Sequence, residues 1–218
     1  MHRRYEHTRY PLIYALSHYI GIVAYDICFR GEITGAENIP EEGPFIICAN
    51  HASHLDPPAL ATVIHRRIVP FARKTLWHNK ASSWWLNAVG AIPVDRDAAD
   101  IKAIRAVFQA IERGHSIMLY PEGTRSQDGR LQPAKAGVGL IACKTQVPIL
   151  PCRVFGAHEA LPPGGKLKLG TPIHIVVGPL LQPAGYDNPA DGKNRYQAAS
   201  DRIMSRIAAL ALPVETVL

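Results

Sequence analysis

Short apolar runs separated by polar turns dominate the middle of the chain, predicting strands at 45–49, 67–72, 91–94, 116–120 and 148–155. Between them, apolar positions recur every three or four residues. The strongest such stretch covers 97–113, with Ile101, Ile104, Val107, Phe108 and Ile111 on one face and Lys102, Arg105, Gln109 and Glu112 on the other. Gly114 ends it as a left-handed cap. Further helices are expected at 57–64, 135–145 and 194–210, the last burying Tyr196, Ala199, Ile203, Ile207 and Leu210. Residues 30–43 read as a short strand and a turn rich in Gly, Pro and acid. Late strands are expected at 166–169 and at 172–177, the second buried on both faces. Trp84, Trp85 and Leu86 form an apolar cluster. Pro151 cannot donate to a central ladder, so 148–155 should carry an irregularity. Strands alternating with helices make the fold α/β, one domain with a mixed, partly parallel sheet flanked by helices.

The first 30 residues follow a different pattern. Arg3, Arg4, His7 and Arg9 precede a mostly apolar stretch, 11–29, interrupted by Ser17, His18 and Asp26. It lacks the uninterrupted apolar core and cleavage site of a secretory signal. As a membrane span it is at the lower length limit, with two ionisable groups inside, so spanning is disfavoured. At helical spacing Leu12, Leu16, Ile20, Val23 and Ile27 share a face, while Tyr14, His18, Gly21, Tyr25 and Asp26 lie mainly elsewhere. Two expectations follow: a helix lying in the interface of an anionic membrane, or one packed on the domain. The main domain is expected to run over 31–218.

Composition narrows the partners. A chain of 218 residues suits one ordinary domain, and it needs no disulfide or metal staple. Cys28, Cys48, Cys143 and Cys152 form no C-x-x-C pair, which points to reduced thiols in a cytosol-facing protein. Cys48 lies in an apolar strand run and reads as a small buried hydrophobe rather than a nucleophile. The net charge of +6 calls for an anionic partner. No basic run with interleaved aromatics and no zinc framework points to nucleic acid.

Candidate chemistry gathers where strands end. The stretch PFIICANHASHLDPP passes from an apolar strand to His51, and Asp56 precedes Pro57 and Pro58 at a helix start. Asp56 reads either as a simple N-cap or as an acceptor for the Nδ1 proton of His51, which would leave Nε2 as a base. Two other loops, IPVDRD and YPEGTRS, also follow strands, and in open α/β sheets ligands bind outside the carboxyl ends of strands. In YPEGTRS, Gly123 permits close backbone approach, Thr124 and Ser126 offer hydroxyls, and Arg125 presents a fork suited to phosphate. Glu122 is placed to hold that guanidinium, or the loop is a surface turn with a local ion pair.

His51 with Asp56 as H-x-x-x-x-D, GAIPVDRD at 90–97, EGTRS at 122–126 and VPILPCR at 147–153 resemble, in order and spacing, the four blocks of the glycerolipid acyltransferases. Among these they look most like the bacterial 1-acyl-glycerol-3-phosphate enzymes. The resemblance covers roughly residues 31–171. It implies an acyltransferase domain at 31–218 that moves a fatty acyl group from acyl-CoA or acyl-carrier protein to the hydroxyl of 1-acyl-glycerol 3-phosphate, giving phosphatidic acid. It implies His51 as general base, Asp56 as its orienting partner, and an acceptor-phosphate site of Glu122, Gly123, Thr124 and Arg125 with Arg96. No metal or other cofactor and no covalent intermediate is implied. The Lys-Lys-Glu-Leu-like run that the family often carries reads Arg73, Lys74, Thr75, Leu76 here, which leaves Arg73 and Lys74 as further anion-binding candidates. The family often has two anchoring helices before this domain, but only one helix fits before Gly31, so a single interfacial helix on the cytoplasmic face of the membrane is expected.

Other readings make different demands. Within the family, glycerol 3-phosphate or another lyso-lipid is an alternative acceptor. A metal-dependent hydrolase would use His51, His54 and Asp56 as ligands and would need a further donor. A lipid-binding module without catalysis would leave His51 dispensable.

Overall fold

A computed structural model describes residues 11–64, 66–94 and 101–213. Eight strands and eight α-helices are described in chain order: α1 (Pro11–Cys28), β1 (Ile33–Thr34), β2 (Ile46–Ala49), α2 (Asp56–Val63), β3 (Ile68–Val69), β4 (Phe71–Arg73), α3 (Lys80–Ala88), β5 (Ile92–Val94), α4 (Ile101–Glu112), β6 (Ser116–Leu119), α5 (Ala136–Thr145), β7 (Ile149–Phe155), α6 (Ala157–Ala160), β8 (His174–Val177), α7 (Pro183–Tyr186) and α8 (Arg195–Ala208). Six strands form the main sheet in the order β1-β8-β7-β2-β6-β3, and β4 and β5 pair separately. Only β7 and β8 run antiparallel, so the mixed, partly parallel sheet expected from the pattern is present.

The sheet is sandwiched between helices because its strands are apolar on both faces. From β2, Ile46 and Cys48 enter a core with Val107 and Ile111 of α4, Val138 and Ala142 of α5 and Ile203 of α8. Phe45, Ile47 and Ala49 enter the opposite core with Leu60 and Val63 of α2 and Tyr25 of α1. Helices α5 and α8 approach backbone to backbone at Gly139, where an added Cβ would fall 1.9 Å from the Tyr196 carbonyl oxygen. No larger residue fits there.

Several elements depart from the pattern. The 67–72 run divides into β3 and β4 around Pro70, whose carbonyl still accepts the Ile92 N–H. Pro151 sits within β7 without a break. The β7 edge that carries it faces the chain just beyond β8, where its carbonyl accepts the Gly178 N–H and no donor is required of it. No strand forms at 166–169: this is a loop with Leu167 and Leu169 exposed, held by Lys168 N–H to Ala160 O and Gly170 N–H to Cys28 O. Trp84 and Trp85 lie on α3, a helix whose N-cap Asn79 accepts from the Ala81 and Ser82 N–H groups. The start of the expected 97–113 helix falls outside the described residues, as do Arg3, Arg4, His7, Arg9 and Arg96.

Helix α1 docks through Tyr14, Ser17, His18 and Tyr25, with Asp26 exposed. His18 Nε2 lies 2.8 Å from Ala61 O, Tyr14 Oη accepts the Ile68 N–H, and Ser17 Oγ accepts from Trp85 Nε1. Its apolar stripe of Leu12, Leu16, Tyr19, Ile20, Val23 and Ile27 faces outward, with Leu12 76% and Ile27 72% exposed. Of the two expectations for this helix, packing on the domain is the one observed, with the apolar stripe left on the outside. Among the described residues no helix is long and apolar enough to cross a membrane.

Candidate active site

The site forms at the carboxyl end of β2, between β6 and β7. The parallel register aligns Cys48 with Leu119, so His51 and Glu122, each three residues further on, arrive side by side. The His51 N–H donates to Glu122 Oε1 at 3.0 Å, and its carbonyl accepts the Ser126 N–H at 2.7 Å. Two loops distant in sequence are thereby stitched together along one residue. On the other side, the Asn50 side chain clasps the Val154 backbone of β7, donating at 2.9 Å and accepting at 2.8 Å.

Asp56 does not cap α2, which begins at Asp56 with Leu55 as N-cap. Its Oδ2 accepts instead from His51 Nδ1 at 2.9 Å and from the backbone N–H groups of Ala52 and Ser53 at 2.7 and 2.8 Å. A carboxylate turned back on the preceding loop shapes that loop and fixes the imidazole together. Because carboxylate oxygens only accept, the bond places a proton on Nδ1, and in the neutral imidazole Nε2 is then the nitrogen with the lone pair. His51 is 5% exposed and Asp56 fully buried. Tyr120, which no pattern in the sequence singled out, stacks on the imidazole with ring centroids 4.0 Å apart. Its one available signal was position, as the first residue beyond β6.

Glu122 is 1% exposed, and burial pushes its carboxyl up to about 7, against hydrogen bonds from the His51 and Gln132 backbones that lower it. Its expected ion pair with Arg125 does not form, since the carboxylate is committed to the His51 backbone. Arg125 is half-buried, with Nη1 inaccessible and without a hydrogen-bond partner. Gly123 and Thr124 are exposed on the same turn. Gly123 adopts φ +70°, a conformation that favours glycine.

Other candidates stand apart. Lys74 is exposed and makes no ion pair with a described residue, and nothing is described of the Arg73 side chain. His54 is exposed, and among the described residues no group of three or more His, Cys, Asp or Glu side chains is arranged to hold a metal ion, so the hydrolase reading loses its ligand set. Cys48 is fully buried with its thiol pushed well up by desolvation, which suits packing rather than attack. Ser53 Oγ is occupied, donating to Leu161 O and accepting the Leu55 N–H.

A family model described as Acyltransferase matches residues 30–155, more than half of the chain and all of this site. The chain belongs to the acyltransferase family. A chloroplastic 1-acyl-sn-glycerol-3-phosphate acyltransferase of Brassica napus is 30% identical over 75% of this chain and 47% of its own length. A chloroplastic counterpart in Arabidopsis thaliana is 29% identical over 70% of this chain and 44% of its own length. This acyltransferase chain thus spans about half the length of those plant relatives. The 1-acyl-sn-glycerol-3-phosphate acyltransferase of Bacillus subtilis is 28% identical over 82% of this chain and 87% of its own. In fold, the chain is similar to the crystal structure of the 1-acyl-sn-glycerophosphate acyltransferase PlsC from Thermotoga maritima, with a TM-score of 0.70, 23% identity, and coverage of 92% of this chain and 81% of that one.

Proposed function

We propose that this acyltransferase transfers a fatty acyl group from a thioester donor, acyl-CoA or acyl-carrier protein, to the free hydroxyl of 1-acyl-glycerol 3-phosphate, giving phosphatidic acid. The observation that carries the chemistry is the His51–Asp56 bond, which engages Nδ1 and leaves Nε2 as the imidazole nitrogen outside that bond, at a strand end. The names of the bacterial and plant relatives support the choice of acceptor.

In the reaction, Nε2 of His51 removes the acceptor's hydroxyl proton as the oxygen attacks the thioester carbonyl. The carbon–sulfur bond then breaks, and the imidazolium returns its proton to the departing thiolate. Asp56 steadies the imidazolium while it carries that proton, and Tyr120 keeps the ring from rotating. No side chain is acylated and no bound cofactor takes part. Arg125, on the turn stitched to His51, binds the acceptor phosphate and positions the hydroxyl, so its contribution enters turnover as well as affinity.

The outward stripe of α1 supports work at a lipid surface. Trp85 joins α3 to that helix through Ser17, and the loop with exposed Leu167 and Leu169 meets its other end through Cys28. An apolar face flanked by tryptophans suits the membrane interface, and the cytoplasmic leaflet, which is anionic, suits the net charge of +6.

A radiolabelled acyl-thioester assay against 1-acyl-glycerol 3-phosphate, glycerol 3-phosphate and neutral lyso-lipids tests the reading, with His51→Ala as control. We expect 1-acyl-glycerol 3-phosphate to be the preferred acceptor and His51→Ala to lose turnover by about 10²- to 10⁴-fold. Full turnover in His51→Ala would overturn the mechanism, and preference for another acceptor would overturn the substrate.

A further inference from the structure

Lys135 was assigned no role by the sequence patterns, yet the fold lays it over the turn that carries Arg125. It is the N-cap residue of α5, in extended conformation. Its backbone is held at both ends: the N–H donates to Pro121 O at 2.8 Å, and the carbonyl accepts from Ser200 Oγ at 2.8 Å. The side chain leaves this anchored position across Gly123. A Cβ added to Gly123 would lie 3.0 Å from Lys135 Cδ, 3.6 Å from Cε and 3.5 Å from Nζ. The aliphatic stem therefore lies flat on the one residue of the turn without a side chain, and the ammonium ends beside it.

The charges around this turn are unbalanced within the protein. Glu122, the adjacent carboxylate, is buried and turned to the His51 backbone. Asp128, further along the loop, accepts from Ser126 Oγ, the Arg130 N–H and Gln132 Nε2. Among the described residues neither Lys135 nor Arg125 has a carboxylate within ion-pair distance. One cation carried by the turn and another laid over it raise its positive potential, and an anion bound there lowers it. A phosphate monoester fits: it carries between one and two negative charges at neutral pH, accepts two hydrogen bonds from a planar guanidinium and one more from an ammonium. The amino-terminal end of α5 beside Lys135 adds to the positive potential.

We propose that Lys135 is a second cationic ligand of the acceptor's phosphate, acting with Arg125 across Gly123. The proposal rests on the acceptor-phosphate reading given above and adds a residue to it. The test is steady-state kinetics on Lys135→Gln, Lys135→Arg and Arg125→Ala, varying donor and acceptor separately. The expected result for Lys135→Gln is an acceptor KM raised about tenfold or more with the donor KM unchanged, and recovery of most of that loss in Lys135→Arg. Because Lys135 is exposed and its structural bonds are made by the backbone, Lys135→Gln should melt with the parent protein. An unchanged acceptor KM in Lys135→Gln, or a raised donor KM, overturns the assignment. If Arg125→Ala raises the acceptor KM while Lys135→Gln does not, the phosphate site stands and Lys135 has no part in it. If neither variant moves it, both readings fall.

Discussion

The cluster around His51 and helix α1 break the ordinary rule of burial in opposite directions. Around His51, polar atoms are taken out of water: Asp56 is fully buried, Glu122 nearly so, and each has one carboxylate oxygen without a hydrogen-bond partner. Along α1, large aliphatic side chains are left in the open while Tyr14, Ser17 and His18 are turned onto the domain. A fold optimised only for stability would reverse both, since burying unpaired carboxyl oxygens and exposing large aliphatics each cost free energy. The departures differ in kind. The first fixes the orientation of an imidazole, and the second leaves an apolar stripe facing outward.

Three experiments press on this contrast. The largest effect is expected from Asp56→Ala, which removes the acceptor shared by His51 Nδ1 and the Ala52 and Ser53 N–H groups. Turnover should fall by about 10²- to 10⁴-fold. Denaturant unfolding should show a loss of about 1–3 kcal/mol for each N–H left buried and unpaired. A variant that is destabilised but turns over normally would reduce Asp56 to a loop brace. Next, the double change Leu16→Glu with Ile20→Glu should lower partitioning onto anionic phospholipid vesicles by about 10²-fold, with no loss of thermal stability, because both side chains are exposed. Unchanged sedimentation with vesicles would show that the stripe serves something other than lipid.

The smallest effect concerns Glu122. A carboxyl raised by folding from 4.5 to about 7 binds more protons in the native than in the unfolded state between those values. Stability conferred by its neutral form is therefore complete below about 4.5 and is lost as pH rises through about 7. In Glu122→Gln, which stays neutral and keeps an acceptor for the His51 N–H, that decline should flatten, by a few degrees in Tm across the window. Melting curves that run parallel in both proteins would show that burial of this carboxyl carries no such cost.

Much of the fold was legible in the chain because its strands are apolar on both faces and its helices, α4 above all, keep a clear period. The pattern failed where local context overruled it. Leu167 and Leu169 alternate like a strand but sit among Pro162, Pro163, Gly165 and Gly170, which break the ladder. Trp84 and Trp85 sit on a helix set up by the Asn79 cap, which an apolar cluster alone does not reveal. At the site, His51, Asp56 and Arg125 could be named from chemistry and spacing. The partner of Glu122 could not, because backbone N–H groups carry no sequence signal.

The chain by itself determined the α/β class, the histidine with an acid five residues away, and an apolar stripe at helical spacing, because these are periodic or local properties of adjacent residues. Only the tertiary structure decided that Asp56 serves the loop before its helix, that Tyr120 stacks on the imidazole, and that Lys135 lies over Gly123. Those contacts depend on the register between neighbouring strands and on the return of α5 across the turn. Neither is encoded in any single stretch of the sequence.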